Sequence, residues 1–464
     1  MITLLFVSLL IVLEVGSLPS IDQTTLDGFN KNQSGNIIVT MINSTLSLLD
    51  GFEPRRFLTR HERLKTIVTD LQEFAKTTQE RVMKVLDTEQ LLKGFRIESL
   101  WITNQIIIWG ADLDLVSKLM KLEDILEIKE EAFIPLDEPM DLQILDNLTE
   151  TNVKEQGWGV QQVQAPDVWN LGETGEGIIV CSIDTGVRAS HEALRNNFLG
   201  EFGWYDAVQK ISEPYDDFGH GTHVMGVIAG SKNIGVAPGS KWSACKACGP
   251  GGCSEFLLLV CGQWVACPTF RNGSLSNCSA TPHVVSNSWG GEIGNIWYSG
   301  VAKVWHMAGI ISVFAIGNIG PACGTANSPG DYDNVIGVGA SCRNHTVARF
   351  SSSGPSKIAT RVKPDVSAPG HKILSAYHRH DTAYAILSGS STASPCAAGV
   401  VALLLGKKKS LSFVDVLSAL QAGSGRTKSS GYACSDKDDS HFPNYHAGYG
   451  RINARKSLER LAYR

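Results

Sequence analysis

Three stretches of the 464-residue chain hold the side-chain types that nucleophilic catalysis needs. Ile178 to Val187 reads IIVCSIDTGV, an apolar run ending in Asp184. A buried parallel strand that stops at the carboxyl edge of a sheet has this pattern. Gly219 to Gly230 reads GHGTHVMGVIAG, where the Gly-flanked His220 opens an apolar helix. Leu387 to Leu405 reads LSGSSTASPCAAGVVALLL, Gly and Ser suited to a tight turn followed by an uncharged run long enough for a buried helix. Ser391 at that junction would meet the helix's unpaired N–H groups and positive dipole end, which favour developing negative charge. One serine at a helix start is ordinarily only a cap. An acid, an imidazole and a hydroxyl together are the parts of a triad, in which the acid orients the base and the base activates the hydroxyl.

In chain order Asp, His, Ser, these stretches resemble the motifs of the subtilisin-like serine proteases and depart from the chymotrypsin-like order. The resemblance implies Asp184 as orienting acid, His220 as general base and Ser391 as nucleophile, with His223, one helical turn on, structural. VFAIGNIG (313–320) resembles the family's oxyanion motif and implies Asn318 as the side-chain donor. SNSWGG (286–291) resembles its substrate-cleft strand, where an extended peptide pairs with the backbone. That implies Ser288, Trp289 and Gly290 as one wall of the pocket for the residue before the cut. No acid stands in these wall segments, which argues against a preference for Lys or Arg there. Thr392 follows the nucleophile where bacterial members often carry an oxidisable Met. Calcium is left unassigned, because GSKNIGVAPG (230–239) is shorter than the calcium loop of many bacterial members, and no metal or other cofactor is expected.

These residues need a scaffold, and the flanking sequence supplies one. From QAPDVW (164–169), which resembles the opening of subtilisin-like catalytic domains, strand-like runs alternate with helix-like ones. HVVSNS (283–288), GIISVFAIG (309–317), NVIGVGA (334–340) and KILSAY (372–377) read as strands. Residues 297–307, 397–405 and 413–420 read as helices. Alternation of this kind predicts an α/β fold, a parallel sheet flanked by helices, with its active site at the carboxyl ends of the strands. GYGRIN (448–453) resembles the family's closing segment, and no further C-terminal domain is expected.

Ahead of this module, LLFVSLLIVL (4–13) is too short to span a bilayer, which needs about 20 residues, and reads as the apolar core of a signal peptide cut after Ser17. Residues 18–60 take no firm assignment and carry sequons at Asn32 and Asn43, with another at Asn147. Leu64, Ile67, Val68, Leu71 and Phe74 recur at helical spacing. FRIESLWIT (95–103) and QIIIWG (105–110) are strand-like runs around a polar turn at Asn104. Asp112 caps a second helix, and ILEIKEE (125–131) is a short strand. This order resembles the ferredoxin-like α+β propeptide of subtilisin-like proteases. The division expected is signal 1–17, propeptide 18–150 with an ordered part near 55–134, and catalytic domain 151–464. The propeptide is expected as an intramolecular inhibitor whose tail lies in the cleft.

A net charge of −5 points to neither nucleic acid nor an anionic membrane surface, and no later run is long enough for a membrane anchor. Six of the 11 cysteines fall between Cys245 and Cys278. Behind a signal peptide they read as disulfides, where zinc would be considered in a cytosolic chain. Cys181 and Cys396, inside apolar segments, read as buried thiols. This insertion together with PHVVSNSWGG resembles the branch of the family that includes bacillopeptidase F. The expectation is a secreted, monomeric serine endopeptidase acting on proteins or peptides. A catalytically dead binding protein and a metal-dependent hydrolase are the alternatives; intact triad positions oppose the first and the lack of HExxH spacing the second.

Overall fold

The computed structural model describes residues 19–21, 25, 34–52, 57, 59–136, 140–146, 148–149, 151, 153, 157–429, 431–434 and 437–462. The expected signal peptide and the sequons at Asn32 and Asn147 lie outside them. The chain forms two compact units. The smaller comprises residues up to Ser44, Phe74–Ser99 and Asn104–Glu131; the larger takes Thr45–Glu73, Leu100–Thr103 and the chain from Ala132.

In the smaller unit, Gly35–Met41 lies centrally in the sheet, antiparallel to Gln105–Ala111 on one side and to Ile125–Glu130 on the other. With Arg96–Leu100 at one edge and two helical stretches, the strand–helix–strand–strand–helix–strand order is the ferredoxin-like one. The strand Gly35–Met41 falls in the stretch left unassigned from sequence. It is a continuous apolar run with Ile37, Ile38 and Val39 all fully buried, because it is covered on both faces and so lacks the alternation that marks a half-exposed strand. Asp112 caps Leu113–Leu119 as expected, its side chain accepting from Leu115 N at 2.7 Å. Asn104 sits at φ 53° in the turn, fully buried, with Nδ2 donating to Asn43 O at 2.7 Å and Oδ1 accepting from Gln79 Nε2 at 3.0 Å.

The larger unit is built on seven strands, here β1 Ile179–Asp184, β2 Trp204–Asp206, β3 Lys241–Lys246, β4 Val284–Asn287, β5 Ile311–Ala315, β6 Ile336–Ser341 and β7 Val366–Pro369. Their order is β7-β6-β5-β4-β1-β3-β2, and every pairing is parallel. The chain starts at β1 inside the sheet, goes to the edge with β2, returns to place β3 between them, then builds the other side outward from β4 to β7. The order therefore reverses between β1 and β4, which opens a crevice at their carboxyl ends. Two apolar helices, His220–Ala229 and Ser390–Lys407, pack with the sheet, burying Val224, Met225, Val227, Ile228, Val400, Val401, Leu403 and Leu404 in one core.

The run 372–377, expected among the main strands, lies elsewhere. Ile373–Ala376 forms a hairpin with Tyr384–Ser388, and the pair belongs to a separate antiparallel sheet. The connection between them is too short for the crossover that a parallel pair requires. Met140–Leu145 is the third strand of that sheet. A second small sheet joins Cys248–Gly249, Gly252–Ser254 and Phe133–Ile134. Among the described residues no helix is long and apolar enough to cross a membrane.

Candidate active site

Asp184 is the last residue of β1 and is buried, and His220 is the first residue of its helix. His220 Nδ1 lies 2.8 Å from Asp184 Oδ1, which also accepts from Thr185 N at 2.8 Å. With Nδ1 committed to the carboxylate, Nε2 is the nitrogen left to exchange a proton. Close approach here depends on glycine. A Cβ on Gly221 would collide with Gly186 O and stand 3.1 Å from Asp184 Oδ1. Gly219, with φ of 102°, ends the loop before the helix in a backbone form that side chains disfavour. His223 is fully buried with Nε2 3.0 Å from Ile373 O, and burial pushes its imidazole down to about 3. It is a neutral hydrogen-bonding member of the core.

Ser391 stands in the first turn of the helix Ser390–Lys407, three residues after the hairpin strand Tyr384–Ser388. Asn318, three residues past the end of β5, is fastened to that turn: its Oδ1 accepts from Ser390 N at 2.7 Å and from Ser390 Oγ at 2.9 Å. These bonds fix which end of the carboxamide is which and turn Nδ2 the other way. A Cβ placed on Gly389 would lie 2.6 Å from Ser391 Oγ and 3.7 Å from Asn318 Nδ2, so both groups border the same small volume over a glycine. Ser288 is tied to the turn as well, its Oγ donating to Ser391 O at 2.8 Å. Thr392 is buried, its hydroxyl 3.0 Å from Gly370 O and 2.9 Å from Gly389 O.

Trp289 differs from the expectation of a pocket-lining side chain. Its ring is 3% exposed, packs edge-on against Tyr298 and Phe314, and donates through Nε1 to Ile183 O at 3.1 Å. Trp289 lies two residues past the end of β4, and its ring turns into the core. The side chain that does border Gly290 is Asn327. A Cβ on Gly290 would be 3.3 Å from Asn327 Cβ, one on Gly317 would be 2.7 Å from Asn327 Cγ, and Asn327 Oδ1 is buried without a partner among the described residues.

Two supporting residues went unnoticed in the sequence. The Asp216 carboxylate accepts from the amides of Phe218, Gly219 and Thr222 and from the hydroxyls of Thr222 and Thr185, at 2.7–3.1 Å. It thereby fastens the start of the histidine helix to the residue after Asp184. Lys246, fully buried and paired in register with Asp184, donates through Nζ to Thr185 O at 2.6 Å, to Cys248 O at 2.9 Å and to Asp217 Oδ1 at 2.7 Å. The signal available was an acid four residues before the histidine and a charged residue ending an apolar strand; neither reveals its partners.

All six clustered cysteines pair, as Cys245–Cys261, Cys248–Cys253 and Cys267–Cys278, and Cys323–Cys434 forms a fourth bridge. Cys181, Cys342 and Cys396 are thiols, and burial pushes Cys181 and Cys396 up to about 12, where they are unreactive. Among the described residues no three His, Cys, Asp or Glu side chains gather as a cation site.

The arrangement has a base held in one tautomer by a buried carboxylate. It adds a serine at a helix N-terminus and an amide donor locked onto the serine's turn. Those are the requirements for attack on a carbonyl with stabilisation of the oxyanion that results. The profile of the subtilase family matches residues 175–450. Bacillopeptidase F of Bacillus subtilis (strain 168) is 32% identical over 425 residues, 85% of this chain and 28% of its own. Thermitase of Thermoactinomyces vulgaris is 34% identical over 263 residues, 55% of this chain and 84% of its own. Serine protease AprX of Bacillus subtilis (strain 168) is 31% identical over 318 residues, 61% of this chain and 67% of its own. The chain thus spans little more than a quarter of the length of bacillopeptidase F.

Proposed function

Because the chain belongs to the subtilase family, we propose that it is a secreted serine endopeptidase, made with its own inhibitory pro-segment and cleaving proteins or peptides through an acyl-enzyme. The observation that carries the reading is the 2.8 Å Asp184–His220 bond on a helix that packs against the serine helix, together with the serine turn to which Asn318 is locked. In the first step His220 Nε2 takes the proton from Ser391 Oγ as that oxygen attacks the carbonyl. Asp184 holds the imidazole and stabilises the imidazolium. Asn318 Nδ2 and the amide at the helix start receive the oxyanion. His220 then returns the proton to the leaving amine, and water repeats the sequence to release the acid.

The pro-segment reading draws on two strand pairings within the larger unit. Ile134 pairs with Cys253 and touches the position of Gly291, at the end of the SNSWGG stretch. Met140 pairs with Ser388, three residues before Ser391, and Ile144 and Leu145 continue along the same strand. Strand addition to Cys253 and Ser254 before residues 135–139, and to Tyr384–Ser388 after them, is the way an extended substrate is held, and it supports the pro-segment reading. We place the self-cleavage within residues 135–139 on this basis; positions 137–139 lie outside the described residues. Secretion is supported by the apolar run 4–13 and by four disulfides, which persist in oxidising compartments.

The test compares N-termini of wild type and Ser391→Ala, expressed in one host and purified with protease inhibitors. Wild type should begin between residues 135 and 140 and react with a serine-directed fluorophosphonate. Ser391→Ala should keep the preceding segment and stay unlabelled. The same trimmed N-terminus in both proteins would remove self-processing, and an unlabelled, inactive wild type would remove the protease reading itself.

A further inference from the structure

At the amino-terminal edge of the main sheet a cavity of about 400 Å³ opens among Arg60, Arg63, His283, His306 and Lys409. His283 stands one residue before β4 and Ile311 opens β5, so the cavity lies at the strand ends opposite to Asp184 and Asn318. Leu405, on its wall, is fourteen residues along the helix from Ser391, roughly 20 Å at 1.5 Å per residue. Neither cavity nor cations take part in the catalytic arrangement.

The charges there are unbalanced. Three lining side chains are cations at neutral pH, and among the described residues no Asp or Glu lines the space. Arg60 donates to Thr281 O at 3.2 Å and to Pro282 O at 2.5 Å, and Arg63 to Ala308 O at 3.3 Å. The Nε of each guanidinium is nonetheless buried without an acceptor among the described residues, as is His306 Nδ1. A buried donor left unmatched is costly, and more so when it is charged. Burial and Arg63 bring Arg60 down to about 10; burial, Arg60 and Lys409 bring His283 down to about 3. These are cations crowded together, with no counter-charge among the described lining residues. Neutral His283 accepts from Ile179 N through Nδ1 at 3.1 Å, which leaves its proton on Nε2 as one more donor.

We propose that this cavity binds an organic oxyanion, a phosphate or carboxylate head on an apolar body. The donors of Arg60, Arg63, Lys409 and the two histidines suit the head, since guanidinium groups match such oxyanions in geometry as well as charge. The rest of the wall, with Phe57, Ile311, Leu405 and Phe413, suits an apolar body, and the volume falls in the range of roughly 300–1,000 Å³ typical of small-molecule sites. Arg60 and Arg63 belong to the segment that self-cleavage would release, so the complete site is a property of the uncut chain. Its existence requires no catalytic activity, and it stands or falls apart from the protease reading.

The experiment titrates full-length Ser391→Ala protein with phenyl phosphate, benzoate and inorganic phosphate by calorimetry at pH 7. Saturable binding of phenyl phosphate is expected, about tenfold tighter than inorganic phosphate and weakened about tenfold by Arg63→Gln, each corresponding to ~1.4 kcal/mol. Lys409 is exposed, so Lys409→Ala keeps the fold and should also weaken binding several-fold; thermal unfolding of each variant checks that it is folded. Binding of benzoate in preference to phenyl phosphate, with the same dependence on Lys409, supports the proposal and assigns the head as a carboxylate. No saturable binding of either up to about 20 mM, or binding that both substitutions leave unchanged, overturns it.

Discussion

Acid should destabilise this protein through His223 before it affects most carboxylates, and the amount follows from where that ring sits. The side chain is fully buried, its Nδ1 meets no partner among the described residues, and burial holds it down to about 3. In the unfolded chain a histidine titrates near 6.5. The folded value is the lower one, so the unfolded state binds the extra proton between these limits. Stability is full above about pH 6.5 and is lost as pH falls towards 3. At 1.36 kcal/mol per pH unit, this one ring removes about 2 kcal/mol between pH 7 and pH 5. The perturbation that isolates it is His223→Gln in the Ser391→Ala background, because a glutamine amide can still donate to Ile373 O and has no proton to gain. Urea unfolding at pH 7 and pH 5 gives the acid-induced loss for each protein. The parent should lose about 2 kcal/mol more than the His223→Gln variant, whatever the baseline cost of the substitution. Equal losses would mean that the buried ring does not stay neutral, and the argument from burial would fail.

Three further outcomes are expected. Asn318→Ala should lower kcat by about 10²–10³ with KM little changed, a magnitude carried over from the corresponding donor of subtilisin rather than worked out from this site; an unchanged kcat would take Asn318 out of the mechanism. Asn327→Asp should put a carboxylate beside Gly290 and raise kcat/KM for substrates with Lys or Arg before the cut relative to those with Leu by about tenfold, ~1.4 kcal/mol; no change in that ratio would place Asn327 outside the pocket. Non-reducing peptide mapping should recover the four bridges, and removing Cys323–Cys434, whose ends are 111 residues apart, should cost about 4–5 kcal/mol by loop entropy. Stoichiometric zinc with free thiols at 245–278 would refute the bridges.

What the sequence determined by itself was everything encoded locally. Asp184, His220, Asn318 and Ser391 each stand where an apolar run meets a turn, and a buried strand or helix end announces itself by composition alone. The α/β class followed from the alternation of such runs, and the cap at Asp112 from one side chain three residues from its donor. Tertiary structure decided whatever depends on which distant segments meet. The resemblance of SNSWGG to the family's cleft strand implies Trp289 as a pocket wall but does not fix which way the ring turns; its contacts with Ile183, Tyr298 and Phe314 put it in the core. Gly35–Met41 is illegible because burial on both faces removes the alternation that marks a strand, and Ile373–Ala376 leaves the main sheet because its short connection to Tyr384 closes an antiparallel pair. Cysteine pairing has too many solutions to be read from spacing, and only the fold chooses among them. The work of Asp216, Lys246 and Asn327 is likewise done across gaps in the chain that no local pattern spans: a carboxylate or an ammonium looks the same in sequence whether it faces water or a set of protein donors or acceptors.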